Sequence, residues 1–393
     1  MTNRRTFIKN SSLVIAGVAV ASTMPMAACK GANEKLVCGL IGANGMGWAD
    51  LNAFLKQPNT ECAAICDVDE NVMNRRFADA EKMQGKKPVG FKDYRKLLEM
   101  PGIDVIIIGT PDHWHCLPMV EACQAGKDVY CEKPLGNSIE EINIMESAAN
   151  KYNTVVQVGM WQRSDPHWRD AVDFVKSGKL GKPSHFDLKY YHGYYLQTAY
   201  REKLVTRLTP APDGGAMAEL GSPGISLLMA FIREELEITG ALQGGNFPDV
   251  PAGSDLFSSI SLVDKRTGAV GNMSASRISS GTGDLVYLEI YAEKGAIRYS
   301  SQNSEYFEYY LEGSNQWIKQ MVGSNYKPIT SFPSGHVPPG WLRSMVHAHY
   351  RFFTGDDATS FNTDLNHGLA VQRIVRKTAD HLSVFRKNYR NDE

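Results

Sequence analysis

The chain has 393 residues, 43% hydrophobic and 22% charged, with 42 basic against 43 acidic side chains and a formal net charge of −1. That length predicts two domains with ample core, and the balance of charge offers no electrostatic case for nucleic acid or an anionic membrane surface. The seven cysteines (Cys29, Cys38, Cys62, Cys66, Cys116, Cys123 and Cys131) form no CxxC pair, so no metal is expected, and Cys62 and Cys66 read as small core residues on one face of a strand.

The N-terminus carries an address. Asn3-Arg4-Arg5-Thr6-Phe7-Ile8-Lys9, then the apolar run Leu13 to Ala21 and small residues, form a twin-arginine export pattern. The run is shorter than the roughly 20 apolar residues of a membrane-spanning helix. Met26-Ala27-Ala28-Cys29 resembles a lipoprotein cleavage box, with Cys29 as the candidate lipid anchor. Residues 1–29 are therefore expected to be a signal, 30–35 a polar linker, and the protein periplasmic. Twin-arginine substrates cross already folded, so the cysteines need not be paired.

Leu36–Ile41 is an apolar run that predicts a buried parallel strand. Gly42-Ala43-Asn44-Gly45-Met46-Gly47 follows at once, then a helical pattern from Trp48 to about Lys56. Strand, glycine turn and helix in that order open a dinucleotide-binding fold: the glycines admit the pyrophosphate and the helix N-terminus offers it free N–H groups. Asn44 stands where the middle glycine is usual, and asparagine tolerates a left-handed backbone. The next strand, Cys62–Cys66, ends at Asp67, where a carboxylate would bind the adenosine ribose or else cap the helix that follows. An acid there favours NAD over NADP, and Arg75 and Arg76 lie too far along the helix to argue for a 2′-phosphate.

Helical patterns follow at Val72–Met83 and Tyr94–Met100. Asp104–Gly109 is a buried strand that ends at Thr110-Pro111-Asp112-His113-Trp114-His115, before a helix from Leu117 to Ala125. His113 and His115 suit catalysis, capping or packing equally. Val129–Cys131 is a short strand that delivers Glu132-Lys133-Pro134. A helix from Ser138 to Tyr152, a strand from Thr154 to Gly159, and a helix from Pro166 to Lys176 come next. Residues 36–160 are thus expected to form a Rossmann domain, and 161–393 a substrate and oligomerisation domain.

After Pro183 the pattern changes to long alternating strands: Ser184–Tyr195, Leu236–Leu242, Leu256–Val263, Ala269–Arg277, Leu285–Glu293 and Ala296–Ser300. They predict a large, mainly antiparallel sheet open on one face, and hence a homo-oligomer. Asp213–Pro223 leads into a helix from Gly224 to Phe231. The Gly-, Pro- and Ser-rich stretch 323–340 predicts a long loop, and two helices, about Trp341–Phe353 and Leu365–Val384, close the chain. The cluster Tyr190-Tyr191-His192-Gly193-Tyr194-Tyr195 suits a sugar ring, and sheet packing or a subunit interface accounts for it as well.

Four stretches, Gly42–Gly47, Thr110–His115, Glu132-Lys133-Pro134 and Gly214–Gly221, resemble the Gfo/Idh/MocA oxidoreductases, over nearly everything from Leu36 to Val384. The resemblance implies an N-terminal Rossmann domain and a C-terminal α/β domain whose sheet covers a nicotinamide. It implies cofactor contacts at Gly42, Asn44, Gly45, Met46, Asp67, Thr110, Pro111, His113, His115, Glu132 and Lys133. It places Lys133 beside the substrate, where an ammonium can stabilise a developing alkoxide. The family's acidic position falls on Glu219, and its histidine position on Pro223, which handles no proton. His192, Tyr191, His115 or Lys133 itself would then take the proton. Catalytic roles are expected for Lys133, Glu219 and His192, and substrate contacts for Lys133, Arg163, Tyr191 and Glu219. The implied function is an NAD-dependent oxidoreductase acting on a secondary hydroxyl of a sugar, glycoside or cyclitol. The alternatives are a redox-neutral enzyme with retained NAD, and a carbohydrate-binding lipoprotein without turnover.

Overall fold

The computed structural model describes residues 35–209, 214–232, 236–245, 247–251, 253–322, 340–354 and 363–389. The stretches expected to be export and lipidation signals, and nearly all of the expected 323–340 loop, lie outside the described residues.

The first layer alternates strand and helix: β1 (Leu36–Ile41), α1 (Gly45–Leu55), β2 (Thr60–Cys66), α2 (Glu70–Gln84), β3 (Val89–Phe91), α3 (Tyr94–Leu98), β4 (Val105–Ile108), α4 (Cys116–Gln124), β5 (Asp128–Cys131), α5 (Ile139–Tyr152) and β6 (Val156–Val158). The six strands are parallel in the order β3-β2-β1-β4-β5-β6. Their apolar runs are buried on both sides, which is why β4 and β5 show no alternation. The strand order reverses between β1 and β4, so the ligand crevice lies at their carboxyl ends. Local chemistry fixes the helix ends: the Asp69 carboxylate caps α2, the Ser138 hydroxyl caps α5, and Gly85 and Asn153 close them in left-handed conformations.

Cys62 and Cys66 do not share a face. Cys38 pairs with Cys62 but Gly39 pairs with Ala64, so β2 carries one extra residue there. That bulge flips the alternation and sends Cys62 and Cys66 into separate core clusters.

The second layer begins with α6 (Pro166–Lys176), β7 (Pro183–Tyr191) and α7 (Thr198–Lys203). A π-helical turn, Met217–Gly221, runs directly into α8 (Ser222–Ile232). Then come β8 (Leu236–Gly244), β9 (Phe257–Asp264), β10 (Val270–Ser276), β11 (Leu285–Ala292), β12 (Gly295–Ser300), β13 (Tyr306–Leu311) and β14 (Trp317–Met321). They form one eight-stranded sheet, β14-β13-β12-β11-β7-β10-β9-β8, antiparallel except where β7 meets β10. Phe186, Leu188, Met273, Ala275, Leu288 and Ile290 bury one face against α6 and α8. Lys189, Tyr191, Tyr287 and Glu289 are half-buried on the other, open face.

Three elements depart from expectation. β7 ends at Tyr191, because Gly193 passes so close to Ser279 that a Cβ would lie 2.8 Å from its carbonyl oxygen, and Tyr194–Leu196 turns as a 3-10 helix. The helix expected at Gly224 starts earlier, through the π turn. Lastly, α9 (Trp341–Thr354) packs on α1 of the first layer. Phe353 meets Phe54 edge-to-face at 5.0 Å, and Gln57 Nε2 donates to Val346 O at 3.3 Å. Ahead of α10 (Leu365–Tyr389), Thr363 closes on the edge of β6: its carbonyl accepts from Val158 N at 2.7 Å and its hydroxyl donates to Val158 O at 2.9 Å. One core cluster consequently runs from Ile41 to Val375 through both layers. Among the described residues no helix is long and apolar enough to cross a membrane.

Candidate active site

The cofactor crevice is built by backbone. Gly42 has φ 84° and Gly45 φ 50°, whereas Asn44 is extended at φ −99° and needs no left-handed tolerance. A Cβ on Gly42 would lie 2.7 Å from Thr110 N, and one on Gly47 2.0 Å from Gly42 O, so β1, β4 and α1 meet in contact only glycine allows. Nothing lies within 4 Å of a Cβ on Gly45, so the turn is open toward the crevice. The first turn of α1 holds no acidic residue, and its N–H groups are suited to an anion. Asp67 accepts from Ala43 N at 2.8 Å and from Asp69 N at 3.0 Å. The helix cap is Asp69 instead, and each Asp67 oxygen keeps acceptor capacity for a ribose hydroxyl. Arg76 does reach the turn: its Nε donates to Ala43 O at 3.2 Å while its guanidinium lies over Trp48. These residues fit a dinucleotide.

Not every expected contact faces that crevice. Pro111 and His113 are exposed at its rim. The Met46 side chain packs against the cluster of Met345 and Val346, which leaves its backbone to the cofactor. His115 is 1% exposed, with one ring nitrogen 2.8 Å from Pro134 O and the other 2.9 Å from Thr110 O. It staples two crevice loops and offers no nitrogen to a ligand. Glu132 turns away altogether: it is 3% exposed and lies over Gly159, where a Cβ would come within 2.3 Å of its Oε1. It points into the fold toward Asp50, so its place in the expected cofactor set is corrected.

Lys133, joined to Pro134 by a cis peptide, stands at the crevice end of β5. Its Nζ donates to the main-chain oxygen of Glu219 at 3.0 Å. That carbonyl sits in the π turn, whose wider ring frees a carbonyl from the helical ladder. The Glu219 side chain is clamped by two arginines: Arg277 Nε lies 2.6 Å from Oε2 and Arg207 Nη1 2.7 Å from Oε1. Tyr195 also donates to Oε2 at 3.2 Å. Burial alone would raise the Glu219 carboxyl, but Arg277, Arg207 and Lys133 outweigh it and hold it at about 2. Glu219 is therefore a fixed anion and not a proton acceptor.

His192 is 3% exposed and stacks on Tyr194 at 4.6 Å. Its Nδ1 accepts from Tyr194 N at 3.3 Å, so in the neutral ring Nε2 carries the hydrogen and acts as donor. Burial pushes the ring's pKa down, Glu219 and Asp284 oppose that, and Arg277 and Lys133 add to it. Two other expectations are corrected. Tyr191 lies on the opposite sheet face from Tyr190, its hydroxyl 2.7 Å from Ser274 Oγ. Arg163 is 4% exposed inside the fold, bonded to Ser226 O and the His367 ring. Arg207 and Arg277 were missed, since neither belongs to a motif and they meet Glu219 only in three dimensions. Among the described residues no group of three or more histidine, cysteine or acidic side chains could hold a metal ion.

Comparison with known proteins matches this geometry. Residues 36–160 match the family model "Oxidoreductase family, NAD-binding Rossmann fold", and residues 168–298 the "GFO/IDH/MocA C-terminal domain". A levoglucosan dehydrogenase of Pseudarthrobacter phenanthrenivorans is 25% identical over 69% of this chain and 75% of its own length. An alpha-N-acetylgalactosaminidase of Shewanella oneidensis is 26% identical over 48% of this chain and 46% of its own. The structure of an inositol dehydrogenase homolog from Azotobacter vinelandii, complexed with NADH and myo-inositol, superposes with a TM-score of 0.74 over 88% of this chain and 96% of that one, at 19% identity. Several curated relatives are matched over only about half their own length, from 42% upward.

Proposed function

Since the chain belongs to the GFO/IDH/MocA family of oxidoreductases, with an NAD-binding Rossmann domain at residues 36–160, we propose that it oxidises a secondary hydroxyl of a sugar, glycoside or cyclitol. The observation that carries this reading is the Lys133 ammonium fixed on Glu219 O beside the glycine turn. NAD, when bound, supplies a nicotinamide ring that exchanges a hydride with the substrate carbon. Gly42, Gly45, the first turn of α1 and Asp67 hold the dinucleotide. Lys133 uses one of its three donors on Glu219 and keeps two for the reacting oxygen. His192 adds a neutral N–H donor, so charge developing on that oxygen meets two donors, and Lys133 relays the departing hydroxyl proton to solvent as the hydride leaves the carbon. The doubly clamped Glu219 acts as an anchor that sets where Lys133 stands. Replacing Lys133 with Ala is expected to lower kcat by about three orders of magnitude or more while NAD still binds, read by calorimetry beside a turnover assay on a panel of glycosides and cyclitols. Full activity in that variant would refute the assignment.

A second reading rests on the export pattern of residues 3–21 and on the relative named as a glycosidase. Outside the cytoplasmic membrane no soluble NAD pool renews a released cofactor, so the protein would keep its NAD and end each cycle with it unchanged. Epimerisation, hydride exchange between sugars and oxidation-assisted glycoside cleavage all have that form. The stoichiometry decides: product without accumulating NADH supports this reading, and one NADH per product excludes it. In the same reading Cys29 is the lipid anchor and the open sheet face a subunit interface.

A further inference from the structure

Behind the Glu-Lys-Pro turn lies a polar cluster that the chemistry above leaves unused. Asp50 projects from α1, Tyr130 from β5, Glu132 from the end of β5, and His349 from α9. All four are between 0 and 3% exposed. Both Asp50 oxygens, Glu132 Oε1, the Tyr130 hydroxyl and both His349 nitrogens have no hydrogen-bond partner. Buried polar groups are seldom left this way, and here six orphaned atoms gather in one place.

The Asp50 and Glu132 carboxyls face each other, and each acts on the other's protonation. Two ionised carboxylates are acceptors only, so that contact is attractive only if one of them carries a proton. No neighbour offers a substitute. His349 Nε2 is 3.5 Å from Asp50 Oδ1, beyond a good bond, and burial pushes its ring down to about 3, so it brings no charge. Tyr130 stacks on His349 at 4.2 Å, and burial followed by Asp50 and Glu132 raises its hydroxyl, as burial raises the Cys131 thiol. Asp112 adds only negative charge, from beyond Cys131. Among the described residues Lys133 is the one cation facing the pair, and its Nζ is committed to Glu219 O while its backbone N–H donates to Glu132 Oε2 at 3.2 Å.

We propose that Asp50 and Glu132 share a single proton, as a carboxylic acid bonded to a carboxylate, and that Asp50 thereby acts as a positioning residue for Lys133. The pair ties the helix that carries the glycine turn to the strand end that carries the lysine. It also keeps one negative charge beneath that lysine: two ionised carboxylates would repel in a dry site, and two acids would leave none.

This rests on the reading of Lys133 given above, and the test separates the two. The infrared spectrum of the wild type minus that of D50N/E132Q at pH 7 needs no turnover. It is expected to show one carboxylic acid band and one carboxylate band, and two of either kind would overturn the shared proton. In the functional arm, Asp50→Asn supplies an N–H in place of the shared proton and is expected to keep kcat within about threefold. Asp50→Leu leaves Glu132 without a partner and is expected to lower kcat at least about tenfold, with the affinity for NAD changed less. A folded D50N that lost as much as D50L, or lost more than tenfold by itself, would overturn the positioning role. An unreactive wild type with the expected infrared bands would count against the function and leave the pair standing.

Discussion

At the scale of single residues, charge does most of the arranging. Glu219 lies between a buried arginine, Arg277 at 1% side-chain exposure, and Arg207 at 46%, so Arg277 carries most of the pairing. A carboxyl held at about 2 against an ordinary value near 4.5 contributes about 3 kcal/mol at neutral pH. Its folded value is depressed, so the stabilisation is present above pH 4.5 and is lost as the pH falls toward 2. Glu219→Gln should therefore be about 3 kcal/mol less stable than the wild type at pH 7, with the gap narrowing below pH 4.5. Urea unfolding across that range measures it, and a gap unchanged at pH 3 would refute the clamp. The sequence exposed Lys133 and Glu219 because each sits in a motif. It hid Arg207 and Arg277, which arrive from segments 70 residues apart and bond each other through Arg277 Nη1 and Arg207 O. Tyr191 was misplaced, although the alternation of Phe186, Leu188 and Tyr190 already turned it outward.

At the scale of elements, the cofactor site depends on α1 docking onto β1 and β4 with almost no gap. Gly47 is the tightest point, since an added Cβ would meet the backbone oxygen of Gly42 at 2.0 Å and Gly109 Cα at 3.2 Å. Neither neighbour is a flexible side chain that can swing aside. Gly47→Ala is expected to weaken NAD binding by about a hundredfold or more, because the helix must retreat from the turn it supports. Calorimetric titration with NAD tests this, and unchanged affinity would show that the turn tolerates the shift. These elements were the most legible part of the sequence: apolar runs as uniform as Val105–Ile108 have few alternatives to a buried strand. Less legible were the β2 bulge, which slips by one residue with no turn signal, and the π turn at Met217–Gly221, which shares its composition with an ordinary helix.

At the scale of the whole molecule, the two layers are not separable beads. The core cluster passes from Ile41 to Val375, and α9 covers the α1 face formed by Ala53 and Phe54. Periodicity marked 341–353 as a helix but carried no information about which layer it would cover, since an amphipathic stripe fits any apolar face. The protein is expected to unfold in one cooperative calorimetric transition. A fragment of residues 36–160, with that face bare, is expected neither to melt cooperatively nor to bind NAD with the affinity of the full chain. A stable fragment with full affinity would show the layers to be independent. The return of α9 also sets a timetable for synthesis. The nucleotide-binding half leaves the ribosome with its α1 face uncovered and waits about 180 residues for the helix that seals it, roughly 10–40 s at ordinary elongation rates. Through that interval the nascent chain displays Phe54 to the cytosol, which makes it a natural client for a holding chaperone.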